Sequence, residues 1–232
     1  RDADDDGLHA PTRSVASIRP PGCTSSEGVS TWPRRSPVAS RISRSRARTL
    51  PEAVPATHVH NTSVYLDADG EIAGIYRKIH LFDVAIPDGA VYRESASVAP
   101  GEAAVVVAAG FAKVGLSICY DLRFPELYRR LVGEGARILT VPAAFTLHTG
   151  RDHWHPLLKA RAIENLAFVL AAAQFGRHNA KRVTFGHACI VDPWGHVLAE
   201  VGDREGVAVA ELDFAYQDRL RRELPALEHR RL

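Results

Sequence analysis

The chain has no methionine and no apolar run that approaches the length of a membrane span. A transmembrane helix needs about 20 consecutive, mostly apolar residues, and no charged-then-apolar signal segment opens the chain. We therefore expect no membrane partner. Because the chain begins with Arg1 and holds no methionine, its first residue need not be the natural start.

Cysteine is scarce and strong charge imbalance is absent. The three cysteines, Cys23, Cys119 and Cys189, are far apart and form no CxxC pair. This spacing favours neither a disulfide framework nor a zinc knuckle and predicts a reducing, cytoplasmic setting. The formal net charge of +2 is small and scattered, so it gives no reason to expect a nucleic-acid partner. A small-molecule substrate is the remaining expectation.

The first quarter of the chain differs from the rest. Residues 1–57 are rich in arginine, serine and proline, show no sustained period of 2 or 3.6, and contain none of the lysines. This composition predicts disorder. Three interpretations stay open: a flexible tail, an organellar transit peptide, or sequence foreign to the rest of the protein, such as a shifted reading frame.

A regular pattern begins at His58 and predicts a domain over 58–232. Apolar alternation on both sides of the turn at 67–70 predicts a β-hairpin with strands over 62–66 and 72–76. A helix is predicted to end at Gly133, and a second to run over 156–168 with Pro156 in its first turn. Further strands are expected at 103–109, 114–119, 138–141, 169–173, 188–191, 197–201 and 207–212. Hairpins mixed with alternating strands and helices indicate a layered α/β fold.

Cys119 lies where an apolar strand meets the start of a helix. Such a corner exposes a side chain, leaves backbone N–H groups available for an oxyanion, and lowers the pKa of a thiol. These are the requirements of a nucleophilic cysteine, although a buried structural cysteine is the commoner role. Cys189, inside an apolar strand, is predicted to be buried.

Several segments resemble, in order and spacing, the signature blocks of the nitrilase superfamily of carbon–nitrogen hydrolases. Residues 172–174 and 176–179 are most similar to amidases that act on deaminated glutathione and on ω-amides of 2-oxo acids. The resemblance implies an αββα four-layer sandwich, incomplete at its N-terminus, that works without a cofactor as a homodimer. The matching blocks lie around Lys78 and Cys119, at 60–63, 142–146 and 159–165, and at the turn 192–195.

The same resemblance assigns roles to individual residues. It implies Cys119 as nucleophile, Lys78 as oxyanion partner and Glu94 as a supporting glutamate. Arg123 and Thr149 would hold a substrate carboxylate, since a guanidinium can donate two parallel hydrogen bonds, while Tyr120 and Phe145 would line the oxyanion site or the pocket. For Arg123 an ion pair with Asp121 or Glu126 is an equal alternative.

The general base that the family places after a proline is missing from its expected position. Glu52 follows Pro51 but stands only a few residues before the block at 60–63, and we treat it, like Glu27, as a chance match. The resemblance therefore predicts an amidase that releases ammonia through a cysteine thioester. The alternative is an impaired or inactive relative that acts only as a binding or structural protein, or a non-functional fragment.

Two further interpretations were weighed. His148, His153 and His155 suggest a metal site, but their spacing fits no HExxH pattern, and a solvated active-site loop without metal is the prediction. The Arg/Ser-rich segment could bind RNA by charge, yet it lacks interleaved aromatic residues. Neither metal nor nucleic acid is expected.

Overall fold

The computed structural model describes residues 15–19, 46–53, 58–85, 91–180 and 182–231. Within these ranges no helix is both long and apolar enough to cross a bilayer. The segment expected to be disordered, 1–57, contributes two strands, and its other residues lie outside the described part of the chain.

Sixteen strands and three α-helices are found in chain order. The helices are α1 (Pro125–Gly133), α2 (Leu147–Asn165) and α3 (Phe214–Glu223). The strands are β1 (Val15–Arg19), β2 (Arg46–Ala53), β3 (Val59–Leu66), β4 (Ile72–Arg77), β5 (Asp83–Ala85), β6 (Val91–Arg93), β7 (Val98–Ala99), β8 (Val105–Ala108), β9 (Lys113–Leu116), β10 (Ile138–Thr140), β11 (Phe168–Ala171), β12 (Phe175–Arg177), β13 (Val183–Phe185), β14 (Cys189–Val191), β15 (Val197–Glu200) and β16 (Val207–Glu211).

The larger sheet has six strands in the order β15-β14-β11-β10-β9-β8. Its centre, β9-β10-β11, is parallel, and antiparallel strands complete both edges. All four residues of β11 are buried, as expected for a central parallel strand covered on both faces. The predicted strands at 105–108 and 138–140 are confirmed in slightly shorter form.

A second sheet joins β2, β3 and β4, with β7 beside one end of β3. The predicted hairpin is confirmed as β3 and β4. Its turn is fixed by the Asp67 carboxylate, which accepts hydrogen bonds from the N–H groups of Asp69 and Glu71, each at 2.9 Å. Smaller pairs are formed by β1 with β16, β5 with β6, and β12 with β13.

Two glycines show how the layers pack. A Cβ atom on Gly74 of β4 would lie 2.4 Å from Val107 Cγ2 of β8, so the two sheets approach closely there. A Cβ atom on Gly115 of β9 would lie 3.0 Å from Leu131 Cβ of α1. Residues 107 and 115 face opposite sides of one sheet. The described layers are therefore helix, sheet and sheet.

The helices agree only partly with the sequence prediction. α1 is confirmed: Pro125 occupies its first turn, and Leu127, Leu131 and Val132 are buried. The start of α2 was wrong. The helix begins at Leu147, capped by Thr146, and contains Pro156 in its interior, so the expected solvated loop is helical. The loss of one N–H at Pro156 is tolerated because Trp154 is fully buried and anchors the segment.

Candidate active site

Cys119 lies at a strained corner just beyond β9. It opens a short 3-10 helix, Cys119–Arg123, with φ of 50°, a left-handed conformation that non-glycine residues seldom adopt. The corner is fixed because the Cys119 N–H donates to the carbonyl of Pro142 at 2.9 Å. Strain of this kind is concentrated at functional sites, where the surrounding structure holds it in place.

Asp121 braces the corner from beneath. Its side chain is fully buried, and Oδ2 accepts hydrogen bonds from the Ile118 N–H at 2.9 Å and from the Tyr76 hydroxyl at 2.7 Å. Oδ1 accepts from the N–H of His80 at 3.1 Å and lies 2.8 Å from its Nδ1. Tyr76 and His80 flank Lys78 in the chain. One carboxylate therefore ties the segment carrying the lysine to the corner carrying the thiol.

Lys78 is buried, with 2% of its surface exposed, and its ammonium forms an ion pair with Glu94. Glu94 also accepts hydrogen bonds from the Asn61 side chain at 3.2 Å and from the Phe82 N–H at 2.7 Å. Both carboxylate oxygens are thus occupied by donors. Glu94 can hold Lys78 in place and keep it charged, but an engaged carboxylate is a poor proton acceptor for the thiol.

The electrostatics of Cys119 differ from the sequence expectation. Burial raises the pKa of its thiol above the ordinary value, and the charge of Lys78 and the Ala144 N–H only partly oppose that effect. Glu94 raises this pKa slightly further. The resting thiol is therefore protonated at neutral pH, and the corner alone does not activate it. A nearby base is required for nucleophilic attack.

Arg123 lies among aromatic rings rather than acids. Its guanidinium carbon is 5.3 Å from the ring centre of Phe145 and 5.9 Å from that of Tyr120, and Nη2 is 3.3 Å from Nδ1 of His153. Aromatic faces stabilise a cation without neutralising it.

The alternative role for Arg123 was an ion pair with Asp121 or Glu126. Among the residues that the structure describes, no carboxylate lies within ion-pair distance of Arg123, and Asp121 is occupied by the donors described above. The guanidinium is therefore available to an anionic ligand.

Thr149 lies in the first turn of α2. Its hydroxyl is 2.8 Å from that of Thr146, the capping residue of this helix. The helix start thus positions Thr149, while His153 stands one turn further along and reaches Arg123. This explains how residues separated in sequence become neighbours: the same helix carries the threonine and the histidine that contacts Arg123.

Aromatic side chains enclose the Lys78 segment. His80 stacks on Phe124 with ring centres 3.6 Å apart, and Tyr120 contacts Phe124 and Phe82 edge-on at 5.4 and 5.0 Å. Phe82 also contacts Tyr92 at 5.1 Å. Such a wall reduces water near the ammonium and the thiol, which strengthens the electrostatic interactions between them.

Sequence reasoning missed the residues that support the site. Asp121, Tyr76 and Asn61 all lie in segments that drew attention, but their partners are distant in sequence. Arg161 was also missed as a support: it is buried, and its Nε donates to the carbonyl of Leu122 in the corner at 3.0 Å. A second cluster, His155 with His187 and Glu200, could hold a metal ion and was not foreseen.

Comparison with known proteins settles the family. The model of the carbon-nitrogen hydrolase family matches residues 46–222. The chain belongs to this family. A deaminated glutathione amidase of Synechocystis is 49% identical over 183 residues, covering 78% of this chain and 67% of the relative. The human protein of the same name is 48% identical, with coverage of 75% and 53%.

Solved structures agree. The NitFhit protein of C. elegans, 43% identical, superposes with a TM-score of 0.77 over 84% of this chain and 48% of that one. Nit3 of Saccharomyces cerevisiae, from the nitrilase superfamily, gives 0.69 at 35% identity, covering 76% of this chain and 62% of that one. The predicted nitrilase-type α/β fold is confirmed. This carbon–nitrogen hydrolase spans about half to two thirds of the length of these relatives.

Proposed function

We propose that this carbon–nitrogen hydrolase is an amidase that acts on a small amide bearing a carboxylate and releases ammonia. The observation that carries the proposal is the convergence of Cys119, the Lys78–Glu94 ion pair and an Arg123 guanidinium without a carboxylate partner among the described residues. Relatives named deaminated glutathione amidase support an acidic amide as substrate.

The chemistry proceeds in two halves. A base removes the Cys119 proton, Sγ attacks the amide carbon, and Lys78 with the Tyr120 N–H stabilises the oxyanion. The C–N bond then breaks as the base returns the proton to the departing nitrogen, leaving a thioester on Cys119. Water, deprotonated by the same base, hydrolyses the thioester and restores the thiol.

Substrate binding involves the residues around the corner. Arg123 pairs with the substrate carboxylate and Thr149 adds a hydroxyl, while the rings of Tyr120 and Phe145 hold the guanidinium from two sides. A carboxylate arriving at Arg123 gains charge-assisted hydrogen bonds in a site partly shielded from water. No cofactor takes part in this scheme.

We propose Glu52 as the general base. Glu94 is engaged by three donors, so another carboxylate must accept the thiol proton. Two findings raise the weight of Glu52 above that of a chance match. The family match begins at residue 46 and includes it, and the main chain of Glu52 pairs with His60, the neighbour of Asn61. β2 thus leads into the network that holds Glu94. The proposed catalytic domain accordingly starts near residue 46 rather than 58.

The wider setting is also proposed. We expect the enzyme to act in the cytoplasm as a homodimer, without nucleic-acid or membrane partners, because its thiol chemistry suits a reducing compartment. Sedimentation of the purified chain would test the dimer: a monomer at micromolar concentration would contradict it.

The function is tested with an ω-amide of a 2-oxo dicarboxylic acid and with deaminated glutathione, following ammonia or amine release. The unmodified chain should turn over at least one of them, and Glu52→Gln should lower kcat by about 10²- to 10⁴-fold. Glu102→Gln, an exposed site, is the matched control. Equal loss in both variants, or none in Glu52→Gln, would reject Glu52 as base. No hydrolysis of either amide by folded protein would reject the amidase.

A further inference from the structure

A second cluster of titratable groups lies on the far side of Trp154 from the proposed substrate wall. His155 comes from α2, His187 from the turn before β14, and Glu200 from the end of β15. Glu200 Oε1 is 2.9 Å from Nε2 of His155 and 2.5 Å from Nδ1 of His187. The three ligand atoms all lie within 4.8 Å of one another. Three separate elements thus direct two imidazoles and one carboxylate at a single point.

The protons of His187 do not satisfy its surroundings. Its Nδ1 faces Glu200, and its Nε2 faces Asp203 Oδ1 at 3.2 Å. A neutral imidazole carries one N–H, so only one of these two nitrogens can donate. The other would direct a lone pair at a carboxylate oxygen, which is repulsive. Either a second proton on the ring or a cation between His187 and Glu200 removes that conflict.

The cluster has the charge to attract a cation. Partial burial favours the neutral acid at Glu200, yet hydrogen bonds from His187 and His155 outweigh it and hold the pKa of this carboxyl below its ordinary value. Glu200 is therefore ionised at neutral pH. Asp203 is largely exposed and adds a second carboxylate on the other side of His187.

The backbone holds these groups in place. His187 has a φ of 59°, and its carbonyl accepts a hydrogen bond from Trp154 Nε1 at 2.9 Å. The His187 ring stacks on Phe185, with ring centres 4.2 Å apart. A fixed imidazole is what a metal site requires, because ligands that must be ordered on binding reduce affinity.

We propose that His155, His187 and Glu200 bind one Zn²⁺ ion, with Asp203 holding the His187 ring from behind. Two imidazoles and a carboxylate are a common zinc ligand set that leaves one position to water, and nitrogen ligands favour Zn²⁺ over Mg²⁺ or Ca²⁺. A carboxylate on the second nitrogen of a ligating histidine is the usual outer support. The ion fastens α2 to β14 and β15 behind Trp154, whose ring lies 5.2 Å from Phe145.

The test is titration of the metal-free chain with ZnCl₂ by calorimetry and with CoCl₂ by visible absorption. One ion per chain should bind, with the d–d spectrum of Co²⁺ in nitrogen and oxygen ligands, and Zn²⁺ should raise the melting temperature. His155→Gln and Glu200→Gln should abolish the binding. Asp203→Asn should weaken it by about 10- to 100-fold. The control is His148→Gln, an exposed histidine two turns earlier on α2, which should bind as the unmodified chain does.

Cys119→Ala separates this site from the thiol of the proposed active site and should retain full binding. If the unmodified chain binds no ion in a saturable way, or His155→Gln binds as well as His148→Gln, the proposal is wrong. A sulfur-to-Co²⁺ charge-transfer band would also overturn it, because the proposed ligand set contains no thiolate. The titration of the unmodified chain decides the matter even if a variant fails to fold.

Discussion

Two cysteines belong to the same six-stranded sheet, one just beyond β9 and the other inside β14. Burial raises the thiol pKa of both, for Cys189 to about 12. Cys189 stands in a regular strand and is fully buried, as the sequence predicted. Cys119 is half-buried, strained, and influenced by a lysine charge and a backbone N–H.

The comparison shows that burial does not distinguish a reactive cysteine from a structural one in this fold. What differs is the backbone. Leaving the strand at Leu116 turns the Cys119 side chain toward Lys78, whereas Cys189 continues its strand and faces packed neighbours. Asp121 maintains the difference, since it joins the corner to the segments on both sides of Lys78.

The largest expected effect separates the two thiols by activity. Cys119→Ala should reduce amide hydrolysis by more than about 10⁴-fold, because removing a nucleophile removes the covalent route. Cys189→Ala should leave kcat unchanged and reduce the free energy of unfolding by about 1 kcal/mol. Ammonia release and urea denaturation measure the two quantities. Retained turnover in Cys119→Ala would contradict the nucleophile assignment.

Lys78→Met should lower kcat by about 10²- to 10³-fold, the usual cost of losing one oxyanion donor. It should also shift the pH dependence of Cys119 alkylation upward, since Lys78 lowers the pKa of that thiol. Lys113→Met, at an exposed lysine that bonds a carbonyl, is the control. An unchanged alkylation profile would show that Lys78 does not act on the thiol.

Asp121→Asn should lower kcat by about 10²-fold, because small displacements of reacting groups are costly. An amide has only one acceptor oxygen, so donors now bound to the second oxygen lose their partner, at about 1–3 kcal/mol of stability. Kinetics must therefore be measured on protein shown to be folded by circular dichroism. Asp69→Asn, in the exposed hairpin turn, should be neutral. A KM change with normal kcat would argue against the bracing role.

Iodoacetamide should label Cys119 faster than Cys189 at neutral pH. Both thiols are mostly protonated, but Cys119 is partly accessible and gains some thiolate from Lys78, whereas Cys189 is inaccessible. Peptide mass spectrometry after timed quenching gives both rates. Equal rates would remove the distinction on which the comparison rests.

The smallest effect concerns alkaline stability. The pKa of Cys189 is raised from 9.0 to about 12 in the folded state. Its contribution to stability is therefore complete below pH 9.0 and is lost progressively as pH rises toward 12. Urea denaturation on both sides of the ordinary thiol pKa should show a smaller alkaline decline in Cys189→Ala. Parallel curves for the two proteins would contradict the prediction.

Local sequence pattern was enough for some features and not for others. The hairpin and α1 could be predicted because their signals, the Asp67 to Gly70 turn and the apolar face before Gly133, lie within a few residues. The nucleophile corner could also be predicted. The start of α2 could not, because residues 147–155 show no apolar period and rely on the Thr146 cap and on tertiary burial.

The supports of the site were beyond sequence pattern for a different reason. Asp121 meets Tyr76 and His80 from 45 and 41 residues away. Nothing near Asp121 in the chain indicates these partners, so an acidic residue at a turn looked like a solvated neighbour of Arg123. The order of the family blocks predicted the fold and the reactive pair, but the hydrogen bonds that place them appear only in three dimensions.

α3 has a consequence for how the protein is made. Leu166 ends α2 in a left-handed conformation, and its carbonyl accepts hydrogen bonds from Gln217 and Arg221 of α3. Arg137, at the start of β10, likewise reaches Gln217 across 80 residues. A ribosome supplies these partners last, so the end of α2 stays uncapped until nearly the whole chain has emerged. Chains released before α3 should expose apolar surface and require chaperones, a cost that falls on synthesis rather than on the finished enzyme.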